Sequence, residues 1–208
     1  MKDNQKNFSQ NDYEIIKREV LYQGVLRLAR YHIRHRTFAG EWSSAYTREI
    51  LERQFAAAVL PYDPLLDRVI LIEQFRAGAL SNPKSPWLLE IVAGLYNENE
   101  KPAEVAKREA MEEAGCKILD LHLIYDYFVS PGGTNEYLHL FCGRVDASQA
   151  EGIYGLPEEH EDIRAFSLPV EEAFVLVQEK KIKTSPAIVA LLWLQLNREW
   201  LKQLWQKK

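Results

Sequence analysis

Only two cysteines, Cys116 and Cys142, occur among 208 residues. That is too few for a disulfide framework or a zinc cluster, and it fits a reducing compartment. No apolar run is long enough to cross a bilayer: the longest, near residues 187–196, falls short of the roughly 20 residues a spanning helix needs. The opening MKDNQKNFSQNDYE has no apolar core, so it does not read as a signal peptide. Charge of neither sign is in large excess. With 26 Lys and Arg against 30 Asp and Glu, the net charge is −4, which disfavours a nucleic acid as the main partner. Internal repeats and low-complexity segments are lacking as well. What remains is a globular chain, 47% hydrophobic and able to bury a core, expected in the cytoplasm with no membrane or nucleic-acid partner.

What the chain does have is concentrated between Gly94 and Cys116, in GLYNENEKPAEVAKREAMEEAGC. Proline suits a first helical turn, where its missing N–H has no intrahelical acceptor, and glycine suits a helix end. A helix over Pro102–Ala114 follows. At 3.6 residues per turn, Glu109 shares a face with Glu112 and Glu113. Like charges at that spacing repel. They are tolerable where a hard divalent cation with oxygen ligands neutralises them, and magnesium is the natural candidate, with manganese as the alternative. Arg108, four residues after Glu104 and four before Glu112, can pair along the helix or steady a carboxylate. Ala106, Ala110 and Ala114 form a small-residue stripe that lets the helix lie close to a sheet.

A solvated acidic helix is the ordinary reading of such a segment. The spacing argues otherwise. Gly94, Glu100, Arg108, Glu109, Glu112, Glu113 and Gly115 stand as glycine, five residues, glutamate, seven residues, then R-E-x-x-E-E-x-G. At background frequencies of roughly 7% per residue type, such a set arises by chance on the order of once in a million chains. Ala110 and Cys116 occupy two softer apolar positions of the pattern. The segment resembles the box of the Nudix hydrolases, which cleave a nucleoside diphosphate linked to another group.

Around this centre the remaining elements read in order. Residues 1–12 are polar and expected to be loosely attached. Residues 15–37 and the later SAYTREILER alternate apolar and charged residues, predicting two or three antiparallel strands that need a partner surface. Their Arg and His residues read as a solvated edge or a dimer rim. Residues 55–60 and 69–75 are strands joined by the turn PYDPLLD, and residues 87–93 form an apolar strand interrupted by Glu90, either a partner for the box or an edge charge. Arg76, where a strand emerges, offers a planar fork to a phosphate.

Residues 122–129 and Tyr137–Arg144 are strands flanking SPGGTNE. In that loop Pro131 makes a rigid corner, while Gly132 and Gly133 offer backbone without Cβ to an approaching ligand. Glu136 is placed to accept from a ribose hydroxyl. The acidic loop 147–162 is too long to be a mere connection, and Glu158, Glu159 and Glu161 are candidates for a base on a movable element. A strand over 163–168 and helices over 170–181 and 185–208 close the chain. Val189, Leu192, Trp193, Leu196, Trp200 and Leu204 recur at helical spacing and are expected to be core.

Pro131 lies sixteen residues beyond Gly115. In that spacing, and in GLPEEHEDIR, the chain is similar to bacterial ADP-ribose pyrophosphatases. The resemblance runs from about Tyr13 onward and implies an α/β/α Nudix sandwich with a mixed sheet over residues 53–208. It further implies that residues 1–52, ahead of that sandwich, form a small antiparallel β subdomain of the kind that in this family is exchanged across a homodimer. It implies metal held by Glu109, Glu112, Glu113 and the backbone carbonyl of Ala93, with Glu159 as the base and Glu112 and Arg108 in the catalytic set. It also implies substrate contacts from Arg48, Arg76, Pro131, Gly132, Gly133 and Glu136. The reaction implied is ADP-ribose plus water to AMP and ribose 5-phosphate. Where some relatives stack adenine on an aromatic side chain, this chain has Val25. Two other readings share the same features: a pyrophosphatase for another nucleotide sugar, of GDP-mannose or UDP-glucose type, and a module that senses ADP-ribose without cutting it.

Overall fold

The chain alternates strand-forming runs with helices at only three places, and the computed structural model, which describes residues 7–206, follows that pattern. Its strands are β1 (Tyr13–Gln23), β2 (Arg27–His35), β3 (Tyr46–Glu52), β4 (Phe55–Asp63), β5 (Arg68–Phe75), β6 (Trp87–Glu90), β7 (Val92–Tyr96), β8 (Asp120–Phe128), β9 (Tyr137–Arg144), β10 (Gly152–Tyr154) and β11 (Ile163–Pro169). Its helices are α1 (Pro102–Ala114), α2 (Val170–Gln178) and α3 (Ser185–Gln206). Two units result: residues up to Arg53 with Phe128–Glu136, and Gln54–Tyr127 with Tyr137 onward.

The first unit is the antiparallel sheet β1-β2-β3. Leu51 donates its N–H to the Gly133 carbonyl at 2.9 Å, and Arg53 donates its N–H to Asn135 Oδ1 at 2.7 Å. Residues 130–136 are thereby fastened to the end of β3. Under the sheet, Glu52 is buried and takes Arg18 Nε at 2.7 Å, with Arg27 and the Tyr31 hydroxyl also on its carboxylate. The expected loose attachment of residues 1–12 is corrected for its later part, because Ser9 and Asp12 form a reciprocal cap on a helical turn over Gln10–Asp12. Residues 1–6 lie outside the described residues, as do 207–208 of the expected last helix.

In the second unit a mixed sheet runs β10-β11-β5-β4-β9-β8. The run FAAAVLPYD is apolar without alternation because β4 is covered on both faces. Along its length β4 pairs parallel with β9. On its other side it pairs with β7 from Phe55 to Val59 and with β5 only at Tyr62 and Asp63. Pro61, which has no N–H to give, falls in the gap between those partners. Past the gap β5 pairs with β6, so β6 and β7 fill the split and are separated by Ile91 alone. The single strand expected over 87–93 is therefore two strands, and Gly94 lies in the second of them, not in a loop.

Helix α1 covers one face of this sheet. Ala106, Ala110 and Ala114 have no exposure and pack with Ala57, Val59, Ile70 and Ile72. The alternate strand residues face the other way, where Tyr62 meets Trp205 of α3 at 6.2 Å between ring centres. That assembly is the α/β/α sandwich with a mixed sheet. The core stripe expected on α3 is corrected: Leu196 is 85% exposed, and Val189, Leu192 and Trp200 are also exposed. The buried face is Ala187, Ala190, Leu191, Leu194, Leu201 and Trp205. Both stripes have helical spacing, and the small alanines of the true one are what let the helix approach the strands. Among the described residues no helix is long and apolar enough to cross a membrane.

Candidate active site

The site is built on α1. Its first turn carries Pro102, and its end is set by Gly115 in the left-handed conformation, φ 59°. Gly115 and Cys116 donate their N–H groups to the carbonyls of Met111 and Ala110, which stops the helix after Ala114. Before the helix, Glu100 accepts from the Asn97 N–H at 3.0 Å and closes the entering turn.

Three box carboxylates are brought together on one side of this helix. Glu113 is buried, 3% exposed, and its Oε2 accepts from the Ala93 N–H of β7 at 3.0 Å. Glu109 lies flat against the same strand: a Cβ on Gly94 would stand 1.9 Å from its Oε1. A Cβ there would take the carboxylate's place and force Glu109 to move. Arg108 reaches Glu109 Oε1 and Glu112 Oε2, both at 2.8 Å, bridging two acids along the helix.

The electrostatics follow from that crowding. Burial pushes the Glu113 carboxyl up to about 8, aided by the charges of Glu109 and Glu161 and opposed by the Ala93 N–H and Arg76. Burial likewise raises Glu109, with Glu112 and Glu161 adding to the rise and Arg108 working against it. Arg108 and Arg76 offset the clustered acids only in part, since Glu109 and Glu113 are both raised. The donors are all carboxylate oxygens, and Gly94 lets one of them lie against β7, so the residues fit a hard divalent ion. Among the described residues no three acidic, histidine or cysteine side chains already converge as a metal shell. Arg108 occupies two of the acids concerned.

The acidic loop is tied to the end of α1 and carries a strand of its own, β10. Gly155 donates its N–H to the Glu112 carbonyl at 3.3 Å, and the ring of Tyr154 covers Gly115 so closely that a Cβ there would meet it at 2.5 Å. With φ at 100°, Gly155 turns the chain back so that Glu161 Oε2 accepts from the Leu156 N–H at 3.3 Å. Glu159 ends a short helical turn, Pro157–Glu159, and is exposed. Glu161 is a loop acid whose charge adds to the rise of Glu109 and Glu113. Its place as third acid in the EEHED run gave no means of singling it out; only the turn at Gly155 does.

Arg76 follows β5 in the same unit, with Nε and Nη2 on Glu90 Oε2 at 3.0 and 2.8 Å. Of the two readings of Glu90, a partner for the box or an edge charge, neither describes it: it is buried and pairs with Arg76. The other expected substrate residues lie in the first unit. Arg48 stacks on the Tyr46 ring at 4.7 Å, and its Nη1 donates to the Thr47 carbonyl at 2.8 Å. Glu136 faces Arg53 at 3.4 Å. Pro131, Gly132 and Gly133 are exposed in the loop, with open space where either glycine's Cβ would be.

Comparison with known proteins bears on this arrangement. Over 198 residues the chain is 46% identical to an ADP-ribose pyrophosphatase of Escherichia coli (strain K12), covering 95% of each chain. To an ADP-ribose pyrophosphatase of Haemophilus influenzae it is 45% identical over 205 residues, 97% of this chain and 94% of that one. A GDP-mannose pyrophosphatase of Escherichia coli (strain UTI89 / UPEC) is 31% identical over 153 residues, 73% of this chain and 79% of the relative. A solved structure described as an ADP compounds hydrolase superposes with a TM-score of 0.69 at 20% identity, over 95% of this chain and 98% of that one, a likeness of fold. The NUDIX domain model matches residues 52–192, which hold the whole glutamate-bearing helix and its sheet. With that match and relatives aligned over nearly its full length, the chain belongs to the Nudix family.

Proposed function

We propose that the chain hydrolyses the diphosphate of ADP-ribose to AMP and ribose 5-phosphate, with Mg2+ as the bound ion and Mn2+ as a substitute. The observation that carries this reading is the cluster of buried Glu113 with part-buried Glu109 and Glu112, near Arg76, in a chain 46% identical to an ADP-ribose pyrophosphatase. Glu109, Glu112, Glu113 and the backbone carbonyl of Ala93 would hold the metal. A divalent ion there supplies neutralisation of charge on the diphosphate oxygens and acidifies a water.

The chain's own residues do the rest. Arg76 meets a phosphate with its planar fork, and Arg108 keeps Glu109 and Glu112 in place by pairing with both. Glu159, exposed on the loop anchored to α1, takes the proton of the attacking water. Glu136 accepts from a ribose hydroxyl, Pro131, Gly132 and Gly133 let the substrate pass close to the backbone, and Arg48 adds a contact from the first unit. Two copies form the working enzyme through the first units. Ile15, Ile16, Val20, Leu21 and Tyr22 are exposed along β1, so apolar side chains stand uncovered on that strand. Cys116 and Cys142, buried and free, accord with the cytoplasm.

A phosphate-release screen of nucleotide sugars, coupled to a phosphatase, tests the reading with magnesium present and then chelated. ADP-ribose is expected to be the preferred substrate and the activity to vanish with chelator. Preference for GDP-mannose or UDP-glucose would replace the substrate, and metal-dependent binding without turnover would replace the enzyme by a sensor.

A further inference from the structure

Glu90 is a buried acid that lies outside the box, on a short strand, and it accepts an unusual set of bonds. Its Oε2 takes Arg76 Nε at 3.0 Å, Arg76 Nη2 at 2.8 Å and Gln74 Nε2 at 3.2 Å. Glu90 is 8% and Gln74 5% exposed, whereas the Arg76 side chain keeps 45% of its surface open. We propose that Glu90, itself held by Gln74, is the positioning residue that fixes the Arg76 guanidinium for the substrate's diphosphate; this deepens the function proposed above and rests on it.

The arrangement is suited to that task in three ways. Pairing through both Nε and Nη2 stops rotation of the guanidinium about its stem, leaving the Nη1 end outside the pairing and facing a fixed direction. A pre-set fork binds phosphate with less ordering cost than a free one. The residues also share one face: Gln74 of β5 and Arg76, the extended residue just after that strand, are two apart, and Glu90 stands opposite Ile72 in the register of β6. Finally, Glu90 ends β6 three residues before Ala93, whose N–H holds Glu113. One short piece of chain thus anchors both the phosphate-facing arginine and the innermost acid. With 45% of its side chain open, Arg76 keeps surface for a ligand while Glu90 holds it.

A double-mutant cycle tests the assignment. Glu90→Gln is expected to raise KM about tenfold with kcat within about threefold, and Arg76→Ala to raise KM by at least as much. In the double variant the KM is expected to match that of Arg76→Ala alone. Equal effects of Glu90→Gln with and without Arg76, or none, would overturn the proposal. The cycle is run on whichever nucleotide sugar the wild type prefers, so a wrong substrate and a wrong positioning role give different results. An independent reading comes from the arginine Nε–H signals in 15N spectra, with Arg76 assigned through Arg76→Lys. The Arg76 signal is expected to exchange slowly in the wild type and quickly in Glu90→Gln. Should Glu90→Gln not fold, a wild-type Arg76 signal exchanging as fast as those of exposed arginines would refute the pairing.

Discussion

Burial and two neighbouring acids hold the Glu113 carboxyl at about 8, against 4.5 for the free side chain. An acid raised in the folded state destabilises that state once the unfolded chain can ionise. Metal-free protein should therefore lose stability as pH rises from about 4.5 to about 8 and level off above. Added Mg2+ should reverse the loss, with the largest rise in Tm near pH 8, and Glu113→Gln should remove both the slope and the metal effect. Thermal melts with Mg2+ or chelator across that range check this; a metal-induced rise retained in Glu113→Gln would take Glu113 out of the metal shell. Turnover in that variant is expected to fall by at least about a hundredfold.

Glu52 shows the opposite sign. Its bond to Arg18, with further bonds from Tyr31 and Arg27, holds it down at about 2, so its contribution is present above about 4.5 and is lost as pH falls toward 2. Amide protection in β1–β3, corrected for intrinsic exchange, should fall over that acid range, and Glu52→Gln should remove that pH dependence by taking away the shared carboxylate. Unchanged protection between pH 5 and pH 2.5 would contradict it.

At the scale of elements, close approach of backbone and side chain matters more than propensity. Strand β7 can carry Glu109 against it only because Gly94 has no Cβ. Gly94→Ala is expected to lower turnover at least about tenfold by displacing that carboxylate, with a stability cost of about 1–3 kcal/mol. Wild-type rates in Gly94→Ala would show the carboxylate free to move. Helix α3 gives a contrasting pair. Leu194→Ala should cost about 3 kcal/mol and Leu196→Ala less than about 0.5, by urea unfolding, since the first has no exposure and the second 85%. Equal costs would mean that another surface covers Leu196.

For the whole molecule, the tight hold of residues 130–136 on β3 joins a sequence-distant loop to the N-terminal sheet. That sheet leaves apolar side chains of β1 open. Light scattering is expected to give the mass of two chains, and Val20→Asp to weaken the association at least about tenfold. A monomer at micromolar concentration would remove the second copy from the proposed function.

The sequence alone determined the acidic helix, its two ends and the acids on its face, because helical spacing and the special backbone behaviour of Pro102 and Gly115 are local properties. It also showed most strands and the turn between β4 and β5. Which face of α3 is buried, why Gly94 is glycine, that β6 and β7 are separate, and which partner Glu90 takes were decided only in the folded chain. Each depends on residues far apart in sequence meeting at one point, and on how closely they pack there, which no local pattern encodes.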